Sequence, residues 1–504
     1  MTPLRSRRAL AALVALALAA SGAVACTANG SDSSRAPTTT AAGRSTTTTT
    51  GSDADGSSTT STTVDPDAVD PTQHDVTDPV FEHLGDPRID VRHYDVTVAA
   101  DPKRPGVKGT VTMELAATTD VALPSFTLDL KGPKASKATV GGKRAGVTAK
   151  GAELTVTPAS PLRPGREVTV VITYAGTPDT GQFPGLGVPV GWQPDTLGGW
   201  FTMSEPDGTS TWVPVNDHPS DKATWTVTLD TPKGVTGVSN GRLTSSKVQG
   251  ERRRWVWTTD QPMASYLVLA AVGDYDLVQR TGPRGIQVVV AFPKTVPASQ
   301  RKGFDQLDDI LSFYGKTFGA YPDDDAGAIV VATNLGLALE SQTRPLFGLD
   351  AVGDGPTWAL AHEVAHQWFG DAVTPETWTD LWLNEGFATY ADWLYRAHLG
   401  QDIDQLATTD EVPGQGDLAV LDPQAAGSFD GAIYEGGARA LHALRKTVGD
   451  DAFFAILRQW FADHRGKNAT TADFEALASK VAGKDLTSFF NAWLQDPTQP
   501  AFPK

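Results

Sequence analysis

Cysteine is almost absent from this sequence, since Cys26 is the single one among 504 residues. An intrachain disulfide bond is therefore excluded. Positive charge is also scarce: 42 Lys and Arg against 59 Asp and Glu give a formal net charge of −17. Such a surface repels nucleic acid and is not by itself attracted to anionic lipid. No nucleic-acid partner is expected.

The N-terminus has the pattern of an export signal. Three arginines before residue 9 precede an apolar run over residues 9–20, which is too short for an ordinary membrane span. Small residues then lead into Cys26, and this ending resembles a bacterial lipobox. The pattern predicts a signal peptide over residues 1–26, lipidation of Cys26 and a membrane lipid anchor. A cleaved signal with an incidental cysteine is the alternative, and Ser6-Arg7-Arg8 leaves both the Sec and the twin-arginine routes open.

Residues 27–77 contain few large apolar side chains and are rich in Thr, Ser, Gly and Asp. Such a segment cannot bury enough surface to offset its ordering entropy, so a disordered linker is expected. We therefore expect an exported protein, either a cell-membrane lipoprotein or one located in the cell envelope or outside the cell. The remaining length is too great for one ordinary domain and predicts two, over residues 78–278 and 279–504.

The first of these regions has the pattern of β-strands. Apolar and polar residues alternate over 93–98, 109–115, 126–130, 153–157, 167–174, 223–229 and 266–271, with Pro, Gly and Asp turns between several of them. This predicts an antiparallel β saddle or sandwich. After about residue 281 the period becomes helical over 300–318, 450–464, 471–481 and 486–495, with a strand over 328–332. The fold class is therefore α+β multidomain, with a mainly α-helical second domain.

A metal-binding pattern lies in the second domain. Residues 357–370 are predicted to form a helix that begins after Pro356 and ends at Gly370. Residues four apart share a helix face, so His362 and His366 are spaced to bind one metal ion. Glu363 is then free to act as a base. A catalytic zinc usually takes three protein ligands, and Glu385, 19 positions after His366, is the candidate third ligand.

The two segments around these residues resemble a known family. His-Glu-Val-Ala-His-Gln-Trp-Phe-Gly-Asp371 and Trp-Thr-Asp-Leu-Trp-Leu-Asn-Glu-Gly-Phe-Ala388 are similar to the M1 family of zinc aminopeptidases, the gluzincins. The resemblance implies an N-terminal β-sheet domain followed by a thermolysin-like catalytic domain. It also implies one Zn²⁺ on His362, His366 and Glu385, with Glu363 as the general base.

The resemblance extends to substrate-binding and catalytic residues. It places Glu205 in a loop that reaches from the sheet domain to the substrate's N-terminal amine. It places Glu340 in the motif for which the family has Gly-Ala-Met-Glu-Asn, where this chain reads Leu-Ala-Leu-Glu-Ser341. The bulk of Leu337 is expected to alter specificity. Tyr434 takes the place of the tyrosine that stabilises the tetrahedral intermediate.

The residues that follow the Glu205 loop are interpreted differently. Asn216, Asp217 and His218 are expected to hold that loop together, and a metal-ligand role for His218 is not expected.

The predicted function is a zinc aminopeptidase acting on peptides outside the cytoplasm, with a monomer expected. Two alternatives remain. An endopeptidase with an open cleft is compatible with the altered motif at Leu337 and with a chain that stops at Lys504. A cell-surface binding protein with a non-catalytic zinc is the second alternative, and the intact Glu363 and Tyr434 disfavour it, since a structural zinc needs neither.

Overall fold

The computed structural model describes residues 78–182, 188–353, 358–409 and 418–503. The predicted signal peptide, the lipidation site at Cys26 and the predicted linker lie outside the described residues, as does Pro356. Within the described residues, no helix combines the length and the apolar character needed to cross a membrane.

The N-terminal part consists of two β-sheets. Its strands are β1 Ile89–Asp101, β2 Arg104–Ala117, β3 Phe126–Asp129, β4 Lys134–Val140, β5 Lys143–Lys150, β6 Glu153–Thr157, β7 Val168–Gly176, β8 Gly181–Gln182, β9 Pro189–Pro194, β10 Gly199–Met203, β11 Ala223–Pro232, β12 Thr236–Ser239, β13 Arg242–Gln249, β14 Arg252–Met263 and β15 Ala270–Gly273. The large sheet has ten strands in the order β13-β14-β11-β1-β2-β7-β4-β5-β6-β3. The small sheet has the order β12-β15-β10-β9-β8.

The alternation of side chains explains the core of this part. In β1, Tyr94, Val96 and Val98 are buried and the residues between them are not. Successive side chains of a strand point to opposite faces, so one face of the large sheet is apolar. Tyr94 stacks on Trp225 of the neighbouring strand β11, with ring centroids 4.0 Å apart. The predicted N-terminal β domain is confirmed.

The second part contains a smaller sheet and most of the helices. Its strands are β16 Tyr275–Thr281, β17 Gln287–Pro293, β18 Asp325–Val330, β19 Ala338–Leu339, β20 Leu346–Phe347, β21 Val373–Pro375 and β22 Lys467–Ala469. The five-stranded sheet has the order β16-β17-β18-β20-β19, with β19 at its edge, and β21 pairs with β22. The predicted domain boundary after residue 278 falls inside β16.

The helices confirm the mainly helical character of the second domain. They are α1 Leu307–Thr317, α2 Trp358–Ala365, α3 Trp382–His398, α4 Ile403–Thr409, α5 Pro423–Ser428, α6 Gly437–Val448, α7 Asp450–His464, α8 Thr471–Ala482 and α9 Thr487–Phe490. Single turns of π-helix, Ala432–Gly436 and Asn491–Gln495, adjoin α6 and α9. Short 3₁₀ segments are Gly208–Thr211, Ser265–Leu267, Pro283–Gly285, Ala298–Gln306, Leu349–Ala351 and Trp378–Asp380.

Two predicted elements differ from the structure. The predicted strand over 266–271 begins as a 3₁₀ turn, and β15 starts only at Ala270. The Asn240 side chain bonds the Leu267 carbonyl and the Leu269 N–H, which replaces sheet pairing there. The predicted helix over 300–318 is 3₁₀ up to Gln306. Gly303 lies in that segment, and glycine disfavours the α-helix.

The helix that carries the predicted metal ligands is shorter than predicted. It ends at Ala365 rather than at Gly370, so His366 lies in the turn that follows. Phe369 forms a β-bridge with Val373, and the Gly370 N–H donates to the Val373 carbonyl. These bonds turn the chain into β21 and prevent the helix from continuing.

Candidate active site

The three predicted metal ligands lie together. His362 comes from α2, His366 from the turn after it, and Glu385 from the first turn of α3. The Nε2 atoms of the two histidines are 3.1 Å apart. The Glu385 Oε2 atom lies 3.2 Å from Nε2 of His362 and 3.4 Å from Nε2 of His366. Two nitrogens and one carboxylate oxygen therefore form a compact triangle.

This triangle has the dimensions of a zinc site. A tetrahedral zinc at about 2.0–2.1 Å from each donor holds neighbouring donors about 3.3–3.4 Å apart. The Nδ1 of His366 is 3.1 Å from the Phe369 carbonyl, so this nitrogen carries the proton and Nε2 presents a lone pair. Burial raises the pKa of Glu385, but the adjacent imidazoles of His366 and His362 outweigh this effect and lower the pKa to about 2. The donor set thus fits a zinc ion.

Glu363, the predicted base, is buried beside the ligands. It is 6 % exposed. Burial raises the pKa of its carboxyl well above the ordinary value; the charge of His366 opposes this, and the charges of Glu340 and Glu385 add to it. A carboxylate whose pKa is raised is a stronger base than an ordinary carboxylate, which suits a group that takes up a proton.

Tyr434, the predicted hydrogen-bond donor, lies next to His362. It belongs to the π-helical turn in front of α6, and its ring stacks on the His362 imidazole with centroids 6.2 Å apart and planes 19° apart. Burial raises the pKa of the Tyr434 phenol well above its ordinary value, and the charges of nearby glutamates, Glu385 first, raise it further. The hydroxyl therefore stays protonated and available as a donor.

The two predicted amine-binding residues come from different domains and meet beside the metal ligand Glu385. Glu205 follows β10 of the N-terminal part and Glu340 follows β19 of the second. Ligand oxygens of Glu205, Glu340 and Glu385 all lie within 4.8 Å of one another. The Oε1 atoms of Glu205 and Glu340 are buried and accept no hydrogen bond. Burial raises the pKa of Glu340 to about 7.

The residues after the Glu205 loop form hydrogen bonds, as predicted. Asn216 accepts from the Asp86 N–H at 2.5 Å and donates to Asp221 at 2.6 Å. Asp217 accepts from the Ser265 hydroxyl, and Nε2 of His218 lies 3.4 Å from the Asp78 carboxylate. Among the described residues, His218 belongs to no group of side chains that would hold a metal ion.

Three residues near the site were not predicted from the sequence. The Gln367 side chain donates to the Glu340 carbonyl at 3.1 Å and accepts from the Thr343 N–H at 2.6 Å, so it joins the Glu340 segment to the turn after α2. Its position next to the predicted ligand His366 could have indicated a role at the site. Gly386 and Gly437 form a close contact between α3 and α6, where a Cβ on Gly386 would lie 2.8 Å from Cα of Gly437. A glycine inside a predicted helix can indicate a close packing contact, and this pattern could have predicted the role of both residues.

Comparison with known proteins assigns the family. Residues 91–267 match the peptidase M1 N-terminal domain, and residues 357–493 match the peptidase family M1 domain. The solved structure of an M1 zinc metallopeptidase from Deinococcus radiodurans is 31 % identical, with a TM-score of 0.78, and the alignment covers 85 % of this chain and 98 % of that one. The chain belongs to the M1 family. The predicted family and the predicted two-domain fold are confirmed, and zinc is the metal that the family indicates for this site.

Further M1 relatives were found among both structures and sequences. A mutant M1 zinc metallopeptidase from Deinococcus radiodurans, solved with a Tyr-Ser-Ala substrate, is 30 % identical with a TM-score of 0.79, covering 85 % of this chain and 99 % of that one. Aminopeptidase N of Lactococcus lactis is 31 % identical over 57 % of this chain and 37 % of its own length. Bovine glutamyl aminopeptidase is 29 % identical over 59 % of this chain and 34 % of its own length. The chain thus spans about a third of the length of these curated relatives.

Proposed function

We propose that this protein is a zinc aminopeptidase that removes N-terminal residues from peptides. The observation that carries the proposal is the pair of buried carboxylates, Glu205 and Glu340, whose Oε1 atoms lack a partner beside the metal ligands. A peptide's α-ammonium group supplies the missing partner through charge-assisted hydrogen bonds. A peptide with a blocked N-terminus has no such group.

The residues around the metal position have separate chemical tasks. His362, His366 and Glu385 would hold one zinc ion, which would supply Lewis acidity toward water and the scissile carbonyl. Glu363 removes a proton from the attacking water and later delivers it to the leaving amine. The Tyr434 hydroxyl donates to the oxygen that gains negative charge in the transition state.

The amine-binding carboxylates determine which bond is cut. Anchoring the ammonium group at Glu205 and Glu340 keeps the substrate's N-terminus next to the metal ligand Glu385, because ligand oxygens of the three residues lie within 4.8 Å of one another. The scissile bond is then the first peptide bond of the substrate. The printed names of the relatives agree with this reaction, because they include aminopeptidases from bacteria and mammals.

The first test combines a variant with a pair of substrates. Glu363→Gln removes the base but no ligand, so we expect unchanged zinc content and a loss of turnover of at least about 10³-fold. Glu376→Gln is the control, because it removes an exposed carboxylate of the same domain. Full activity of Glu363→Gln would contradict the mechanism.

The substrate pair tests the exopeptidase specificity. The wild type should cleave a free peptide and not its N-acetylated form. Equal cleavage of both would favour the endopeptidase alternative. No cleavage of either by the zinc-loaded protein would favour a binding protein.

We further propose that the protein is exported and attached to a membrane by lipid at Cys26, and that it is a monomer. The N-terminal signal pattern supports the first two statements. Expression of the full chain with Cys26→Ser tests the anchor: the wild type should fractionate with membranes and the variant should be released. Sedimentation of the released form tests the monomer.

A further inference from the structure

The surroundings of the metal ligands contain more carboxyl groups than one zinc ion would neutralise. Glu205, Glu340 and Glu385 lie there together, and Glu363 adjoins the metal ligand His362 in the chain. Within the described part of the chain, none of the first three forms an ion pair with Lys or Arg. A divalent zinc offsets two of the four carboxylate charges. With all four ionised, two negative charges remain in a largely buried place, and a proton or a further cation removes this cost.

Three of these carboxylates are arranged to share one ion. The ligand oxygens of Glu205, Glu340 and Glu385 lie within 4.8 Å of one another. Oxygens bound to a common Ca²⁺ at about 2.3–2.6 Å are at most about 5 Å apart. Glu340 is 3 % exposed, and its Oε1 atom accepts no hydrogen bond although it is buried. The same is true of the Oε1 atom of Glu205.

We propose that Glu205, Glu340 and Glu385 form a second cation site, which binds a hard divalent ion in the absence of substrate and releases it when a substrate ammonium group enters. Carboxylate oxygens alone favour Ca²⁺, Mg²⁺ or Mn²⁺, whereas the imidazole-containing triangle favours zinc. Glu385 belongs to both groups, and a carboxylate has two oxygens with which to serve both. The exchange with substrate rests on the proposed aminopeptidase function; ion binding in the free protein does not.

The proposal has a kinetic consequence. Because the ion and the substrate ammonium compete for the same carboxylates, the divalent ion acts as a competitive inhibitor. It raises KM for free peptides in proportion to its concentration and leaves kcat unchanged. The effect comes from an ion distinct from the zinc.

Mn²⁺ is the probe that tests the site directly. Zinc-loaded full-length protein in metal-free buffer is titrated with Mn²⁺, and free Mn²⁺ is followed by its EPR signal. We expect one bound Mn²⁺ per chain with zinc retained, as measured by atomic absorption. Glu340→Gln and Glu205→Gln should each weaken Mn²⁺ binding at least tenfold. Glu376→Gln, which removes an exposed carboxylate, should not.

A displacement experiment tests the exchange. Leucinamide, which has a free amine and no carboxylate, should release the Mn²⁺, and N-acetyl-leucinamide should not. The proposal is overturned if no Mn²⁺ binds beyond the zinc, if Glu340→Gln and Glu376→Gln bind it equally, or if leucinamide releases none. A protein that cleaves free peptides but binds no second ion would sink this inference alone. An inactive protein that binds Mn²⁺ through Glu340 would sink the aminopeptidase proposal and leave the cation site standing.

Discussion

At the scale of single residues, the site depends on buried polar groups whose partners come from outside the protein. The described side chains leave one oxygen each of Glu205 and Glu340 without a hydrogen bond. Such groups cost folding free energy and are retained where a ligand satisfies them. Other residues affect the site by positioning its groups. The Gln367 side-chain amide bonds the backbones of Glu340 and Thr343 and so holds the Glu340 segment in place.

Removing the Tyr434 hydroxyl tests a donor to the transition state. Tyr434→Phe keeps the ring against His362, so zinc content and KM should change little, while kcat should fall about 10²–10³-fold. Steady-state kinetics on an aminoacyl reporter substrate measures this. Tyr395→Phe is the matched control, because that hydroxyl bonds Asp309. A similar loss of kcat in both variants would refute the assignment.

Removing the Gln367 amide tests a positioning residue. Gln367→Ala frees the Glu340 segment from the turn after α2, so the carboxylate should no longer be held at a fixed distance from the zinc ligands. We expect KM for free peptides to rise about tenfold, with zinc content retained. The preference for free over N-acetylated peptides should fall by a similar factor. A variant that loses stability but keeps this preference would show that Gln367 is only structural.

At the scale of elements, two helices have to approach closely for the site to form. Helix α3 carries Glu385, and the turn before α6 carries Tyr434. The contact between Gly386 and Gly437 leaves no space for a side chain on either. The separation of these two backbones therefore sets the distance between the metal ligand and the phenol.

Adding one methyl group at this contact tests its role. The Cβ of Gly386→Ala would meet Gly437 backbone atoms at 2.8 and 3.0 Å, so the helices have to move apart. We expect a loss of about 1–3 kcal/mol in unfolding free energy and a fall in kcat of more than tenfold. Gly315→Ala in α1 is the control, because no atom lies within 4 Å of its added Cβ. That variant should be neutral or more stable.

At the scale of the whole molecule, the two domains are joined by polar contacts that are buried or partly buried beside the site. The Lys222 ammonium of the N-terminal part donates to the carbonyls of Asp371 and Ala372 at 2.9 and 3.1 Å. The Asn240 side chain donates to the Gln342 carbonyl at 2.7 Å, next to the Glu340 segment. The N-terminal domain therefore supplies Glu205 and also helps to fix the backbone near the metal ligands and Glu340.

Removing the Lys222 ammonium tests this junction. Lys222→Met removes one donor from each carbonyl, while the Thr374 hydroxyl still donates to that of Asp371 and the Gly466 N–H to that of Ala372. The loss of the two Lys222 bonds should therefore cost about 0.5–1.5 kcal/mol of unfolding free energy. Burial lowers the pKa of Lys222 from 10.5 to about 7. The folded state thus binds fewer protons between pH 7 and pH 10.5, and the wild type gains stability as pH rises through this range.

The variant lacks this gain. The unfolding free energy of Lys222→Met should therefore fall below that of the wild type by about 1 kcal/mol more at pH 9 than at pH 7. Urea unfolding at both pH values measures the difference. Lys316→Met, at an exposed lysine, should show no such dependence, and an equal deficit at both pH values for Lys222→Met would contradict the prediction.

The sequence by itself determined the metal chemistry, because that depends on local geometry. A spacing of four residues places His362 and His366 one helical turn apart in almost any fold that keeps the helix. Strand alternation likewise predicted β1 and its neighbours, since burial on one face requires a period of two.

Tertiary structure decided what surrounds the metal position. Glu205 and Glu340 are 135 positions apart and come from different domains, and no periodicity encodes their meeting. A bridge between Phe369 and Val373 ended α2 at Ala365, although the sequence pattern continued to Gly370. The carboxylate group, the Gly386 contact and the Gln367 bonds all depend on side chains and backbones that packing brings together. The free energies of these contacts depend on residues far apart in the sequence, so no local stretch of sequence encodes them.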